Sequence, residues 1–416
     1  MKNSLISIRG MDGSGQPLAI VGAGTAQTNR QWDLVRHLQE ASCLDRCQFI
    51  MSYDINQSTV NRIGRDTRRR KVTSKVVLPS FVPVDDGFLR NPHGYQKYAG
   101  LFDQDQDKMV EQARKRSDEV GSDPQVIIVF LGFGGHSLLG LRLFGKITKA
   151  FPDSTVFPAV LIPQEPILEE AMRREIWSAC DEALAGHQAL ITENGIGDPR
   201  QKDHQLAVAL AAMEAAGKSY PQNGMLSDFM ASRGRQGGGW FGVSVASRLM
   251  PTVKNWRLFP PGREERVPKD QVLKLSWLVR NTIWVNLEDQ AQLAQHESPD
   301  HRVMQDMTVT LPLEEEAVME EVKESSLAQV KAEGIFQQYH QLTIAFARAR
   351  FSMPGKKDPH IHVSQIYPIQ GELEGVARIM RQQEEFPYIV ESGFGSGYYL
   401  NGHHHQTSSE LIPAGI

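Results

Sequence analysis

The chain has 416 residues, 40% of them hydrophobic and 23% charged. These are ordinary globular values that exclude a wholly disordered, collagen-like or disulfide-scaffold chain. Forty-five Lys and Arg against forty-nine Asp and Glu leave a formal charge of −4, too weak a field to make nucleic acid an expected partner.

The length suits two packed domains, or one domain with a large appendage. The first 24 residues lack the apolar core of a signal peptide, and no window holds the roughly 20 apolar residues of a membrane span. A cytoplasmic protein is expected. Cys43, Cys47 and Cys180 are sparse and odd in number, which suits a reducing interior and plain thiols, with no zinc set completed.

In chain order, Leu18-Ala-Ile-Val21 reads as a buried strand ending in Gly22-Ala23-Gly24. A helix over 29–41 and a strand over 47–51 follow, the pattern of a right-handed parallel crossover. The basic stretch 62–75, with Arg68-Arg69-Arg70-Lys71, reads as a solvated hairpin or loop. Next come a charged amphipathic helix over 94–120 and the most apolar strand, 126–131. That strand ends in a second glycine turn, Gly132-Phe-Gly134-Gly135-His136-Ser137. A helix over 138–151, a strand over 156–162, a helix over 165–184 and a strand over 188–192 complete an alternating, doubly wound α/β pattern. An Ala-rich helix over 203–216 precedes an irregular zone, 224–268. A second block then reads as strand 273–287, helix 314–333, strand 342–350, helix 372–384 and a final strand near Tyr388, an α+β unit. The end of the chain, from Gly402 through His403-His404-His405, reads as a disordered tail.

Glycine turns between a strand and a helix N-terminus can form anion sites, because backbone N–H groups converge there and the helix dipole favours phosphate. Two such turns are followed by an Asn at a strand end and a long helix leading to a second unit. This order resembles the tubulin/FtsZ family of filament-forming GTPases, over residues 19–351. Ala19 to Asn29, AIVGAGTAQTN, is similar to the family's first phosphate loop and assigns Gly22, Ala23, Gly24, Thr25 and Asn29 to nucleotide binding. Phe49-Ile50 and Asp54 resemble the next strand end, and Asn91-Pro92-x-Gly94 resembles the turn before the third helix. Leu131 to Gly140 falls on the tubulin signature, giving Gly134, Gly135, His136, Ser137 and Gly140. Pro166 to Arg174 resembles the segment whose Glu and Arg contact ribose and phosphate, here Glu170 and Arg174, and Asn194 resembles the reader of the guanine edge. Gly224 to Phe229 resembles the loop that meets the next subunit's nucleotide, where the carboxylate of Asp228 would polarise the attacking water. Gly239 to Ser247 resembles the stretch that follows that loop. A helix N-cap is the alternative role for Asp228.

The resemblance implies a nucleotide-binding domain over 1–200, a connecting helix over 201–223, an α+β domain over 224–400 and a tail over 401–416. It also implies GTP or GDP at the junction of a head-to-tail homopolymer, with Mg2+ beside GTP, and GTP hydrolysis coupled to assembly. Leu138 and Leu139 stand where small residues are expected and would crowd the phosphates. A nucleotide-free scaffold of the same fold is therefore one alternative. A Rossmann-type NAD oxidoreductase, with Asp54 on the ribose, is another. His360-Ile-His362 puts two rings on one strand face, which by itself is too common a pattern to mark a metal site. The acidic run at 314–321 reads as a solvated helix start.

Overall fold

The computed structural model of the protein describes residues 17–80, 95–132, 137–163, 184, 188–194, 199–219, 239–250, 269–295, 305–313, 316–333, 342–352, 359–369, 390–391, 397–400 and 403–406. Strands β1 (Leu18–Ala23), β2 (Cys47–Tyr53), β3 (Val76–Val77), β4 (Val126–Gly132), β5 (Thr155–Pro163) and β6 (Gln188–Asn194) are parallel, in the order β3-β2-β1-β4-β5-β6. Their unbroken apolar runs suit a sheet covered on both faces. Helices α1 (Thr25–Glu40), α2 (Gln57–Arg70), α3 (Tyr95–Val120) and α4 (Ser137–Ala150) connect them. Leu34, Val35 and Leu38 of α1 share a core with Leu18 and Ile20 of β1. Phe102 of α3 and Leu143 of α4 pack with Ala19 and Val21 on the opposite face.

Helix α5 (Pro199–Ser219) is the central element. Leu206 to Ala212 are each at most 1% exposed, as expected of a helix that is apolar all round and enclosed by protein. It packs against α1 and against strands of both halves. Glu214, fully buried, accepts a hydrogen bond from the Arg46 guanidinium at 3.2 Å. Removing one partner of such a pair costs about 3–5 kcal/mol, because the other charge is left buried alone.

Beyond α5, strand β7 (Gly239–Leu249) extends the sheet by pairing parallel with β6. Strands β8 (Gln305–Leu311), β9 (Leu342–Arg348) and β10 (His360–Ile369) continue it as β7-β10-β8-β9, with β10 antiparallel to both neighbours. Helices α6 (Lys269–Gln295) and α7 (Glu316–Ala332) cover a separate core built on Val309, Val318, Val322 and Ile361. Short strand β11 (Val390–Glu391) joins β7, and β12 (Gly397–Leu400) pairs with β13 (His403–Gln406), of which β13 falls inside the segment expected as a disordered tail. A parallel sheet, a long central helix and a smaller mixed half form the α/β class that the tubulin/FtsZ resemblance implies. Among the described residues, no helix is long and apolar enough to cross a membrane.

Several elements differ from the sequence reading. The arginine-rich stretch is helix α2, because Asn56 caps it by accepting from the Ser58 N–H, and Thr59, Ile63 and Thr67 recur every four residues on its buried side. Residues 273–287 are helical, not a strand: Val272, Leu275, Val279 and Ile283 are buried at three- and four-residue spacing. Strand β7 lies inside the zone read as irregular, and β8 was not anticipated. Cys43 and Cys47 are buried free thiols, and burial pushes the Cys47 thiol up to about 12. Cys180 and the helices expected at 165–184 and 372–384 lie outside the described residues, apart from Leu184, which is buried.

A polar junction ties α1 to the second half. Glu40 accepts from the His37 Nδ1–H at 2.8 Å and from the Ser352 N–H at 3.0 Å. Phe351 lies between the rings of His37 and His362, at 5.2 and 5.8 Å. Burial, then the neighbouring His360 and His37, lowers the His362 pKa to about 3, and burial also lowers that of His37. Burial works against ionisation of Glu40, yet hydrogen bonds from His37 and Ser352 bring its pKa down to about 2.

These shifts share one sign. His362 is neutral when folded and takes up a proton on unfolding, so its stabilisation is complete above the ordinary imidazole value of 6.5 and is lost as pH falls below it. The lowered pKa of His37 acts in the same direction. Glu40 adds a loss as pH falls from its ordinary 4.5 through about 2. Through His362, stability should drop by about 2 kcal/mol between neutral pH and about pH 5. His362→Gln should flatten that slope in urea melts taken across this range, even where it lowers stability at neutral pH.

Candidate nucleotide site

The parallel half reverses direction at its centre. From β1 the chain moves to β2 on one side, and from β4 it moves to β5 on the other. The helices that follow, α1 and α4, leave for opposite faces, which opens a crevice at the carboxyl ends of β1 and β4. Open α/β sheets bind ligands at such a switch point. Gly24 of the first glycine turn and Gly132, which opens the second, lie there.

The first turn is built by Gly24. Its φ of 96° and ψ of 161° occupy a region essentially confined to glycine, and its N–H donates to the Tyr53 carbonyl at 2.8 Å. Helix α1 begins at the next residue. Its first helical bond runs from the Thr28 N–H to the Gly24 carbonyl, and no side chain caps it. The N–H groups of Thr25, Ala26 and Gln27 therefore have no acceptor within the helix and stand at its positive end.

Three glycines owe their presence to close packing. A Cβ on Gly22 would lie 2.7 Å from Oε1 of Gln31. Gln31 is fully buried; its Nε2 donates to the carbonyls of Ile20 and Met51, and its Oε1 accepts from Ser52 Oγ. It thus locks β1 to β2. A Cβ on Gly132 would lie 1.6 Å from Nε2 of Gln27, whose amide sits across the end of β4. Gly140 lets α4 close onto Leu131 and Ala23. Gln27 and Gln31 were not singled out in the sequence. Their spacing of four on an otherwise apolar helix face was the available signal.

Helix α4 starts at Ser137, immediately after the second glycine loop. Leu139 consequently turns into the core, 4% exposed, while its carbonyl accepts from Gln106 Nε2 at 3.0 Å. Leu139, expected to crowd a phosphate cradle, thus packs in the core, whereas the side chain of Leu138 lies outside the described residues. Asn29 Oδ1 accepts a hydrogen bond from the Arg62 guanidinium. Asn194 ends β6 opposite Pro163 of β5. The register runs from Gly132 to Leu161 to Thr192, so Asn194 stands two residues above the level of Gly132 and two strands away. That separation is about 10 Å across the sheet, comparable with the span from phosphate to base in a nucleotide. Asp54 is 1% exposed, and its Oδ1 accepts from the Asn56 N–H at 2.9 Å, so that oxygen closes a turn into α2 instead of facing a ribose. Asn91, Gly134, Gly135, His136, Glu170, Arg174 and Asp228 lie outside the described residues.

No family model matches the chain, and no curated protein matches it. Among solved structures it is similar to CetZ from Methanosaeta thermophila strain DSM 6194, at 11% identity and a TM-score of 0.47, over 89% of this chain and 91% of that one. It is also similar to the GDP-bound monomer of CetZ1 from Haloferax volcanii, at 10% identity and a TM-score of 0.49, over 88% and 98% of the two chains.

The glycines separate by role in stability measurements. Gly24→Ala should cost about 1–3 kcal/mol through backbone strain, and Gly22→Ala about 1–3 kcal/mol through overpacking against Gln31. Gly64, inside α2, has nothing within 4 Å of an added Cβ, so Gly64→Ala should stabilise by about 0.5–1 kcal/mol. Urea unfolding of the three variants checks the order.

Proposed function

We propose that the chain binds guanine nucleotide in the β1/β4 crevice and assembles head to tail into filaments. The observation that carries this reading is the uncapped N-terminus of α1 at the switch point, with the N–H groups of Thr25, Ala26 and Gln27 beside Gly132 at the end of β4. Phosphate would take those N–H groups and the loop at 133–136, and Asn194 would face the base. The choice of guanine rests on the sequence resemblance around Asn194. Mg2+ beside GTP would be held chiefly by phosphate oxygens and water. Asp228 of the next copy would orient a water at the terminal phosphate and act electrostatically.

One observation favours the nucleotide-free scaffold: the Gln27 amide already lies over Gly132 at the crevice floor. Calorimetric titration with GTP, GDP, ATP and NAD, run on the wild type and on Gln27→Ala, separates the two readings. Guanine nucleotides should bind the wild type in preference to ATP and NAD, and Asp228→Ala should lose phosphate release by about 100-fold or more while still pelleting with GTP. Binding of none of the four to either protein, or a preference for NAD, would overturn the proposal.

A further inference from the structure

Helix α2 lies between β2 and β3 at one end of the sheet, and α7 lies between β8 and β9 at the other. Arg65, Arg68 and Arg69 fall at three- and four-residue spacing on the exposed side of α2, opposite the buried Thr59, Ile63 and Thr67. Lys71 extends this basic stripe, and Asp66 is the helix's one acid. On α7, Glu320, Glu321 and Glu324 face away from the buried Val318, Val322 and Val330. Glu320 pairs with Lys323 at 2.9 Å, and Lys331 is the basic residue of the last turn. Arg65, Arg68, Arg69, Glu321 and Glu324 form no ion pair with any described residue.

We propose that the α2 arginine stripe of one copy docks on the α7 glutamate face of the next. Opposite charges on two different elements of one chain make a heterologous contact, which builds a ring where its rotation closes and an open chain of copies where it does not. Single exposed ion pairs are weak, and a row of them is screened by salt, so the contact is reversible and ionic-strength dependent. A second copy is favoured over nucleic acid because the chain supplies the complementary face itself and is acidic overall. This deepens the self-assembly part of the proposed function and does not draw on its nucleotide.

Sedimentation velocity of the full chain without nucleotide tests it. The wild type should associate at about 50 mM salt and weaken by about tenfold or more near 500 mM. Arg65→Glu/Arg68→Glu/Arg69→Glu and Glu321→Lys/Glu324→Lys should each be monomeric, with circular dichroism confirming that they are folded. Mixing the two variants, or combining all five changes in one chain, should restore association, which general loss of solubility or folding would not. The proposal is overturned if the wild type is monomeric at low salt, if either reversed variant associates as the wild type does, or if the five-fold variant stays monomeric. Binding of duplex DNA through the arginines without self-association would also overturn it. Loss of GTP-dependent pelleting alone would sink the nucleotide reading and leave this contact standing.

Discussion

Strand β1 is buried on both faces and hydrogen-bonded along both edges, and the chain can leave it only through the backbone conformation that Gly24 adopts. That turn places the first N–H groups of α1 at the crevice and directs the helix onto one face of the sheet. Gln31 then fixes α1 against β1 and β2 from below, in the space kept clear by Gly22. The positions of the crevice and of α5, which packs on α1, both follow from this exit.

Helix α1 has a different partner at each end. Its first turn faces the switch point, and its last turn carries His37 and Glu40 into the junction with Phe351, Ser352 and His362. Sixteen residues of helix therefore connect the candidate ligand site with the second half, while α5 and the Arg46–Glu214 pair hold the same helix along its flank. A change in the tilt of α1 at the crevice would have to be accommodated at a buried, hydrogen-bonded junction. Such a close-packed junction resists small displacements.

The first half was legible because its signals are local. Apolar runs ending in glycine, separated by amphipathic stretches, specify parallel crossovers, and β1 and β4 end at Gly22-Ala23 and Gly132 as their runs foretell. Less legible were elements whose character depends on what they pack against. Helix α2 buries only Thr59, Ile63 and Thr67, so its arginines dominate the sequence. Helix α6 was read as a strand from a run rich in Leu, Val and Trp, although its burial repeats at helical spacing. In β8, Met307-Thr308-Val309-Thr310-Leu311 alternates apolar and polar as a strand does, so its signal was present and went unread, and burial of Thr308 and Thr310 shows that both faces are covered. The site divides in the same way. Gly24 was identifiable from its turn, but the direction of Leu139 depends on where α4 starts. The roles of Gln27 and Gln31 depend on strands that neither touches in sequence.

The central claim is that ligand phosphate sits between the ends of β1 and β4, and amide hydrogen exchange with and without GDP tests it most directly. The account predicts slowed exchange at residues 24–28 and 133–140, with a smaller effect at the end of β6. Slowing confined to other segments, or no slowing at saturating GDP, would contradict it.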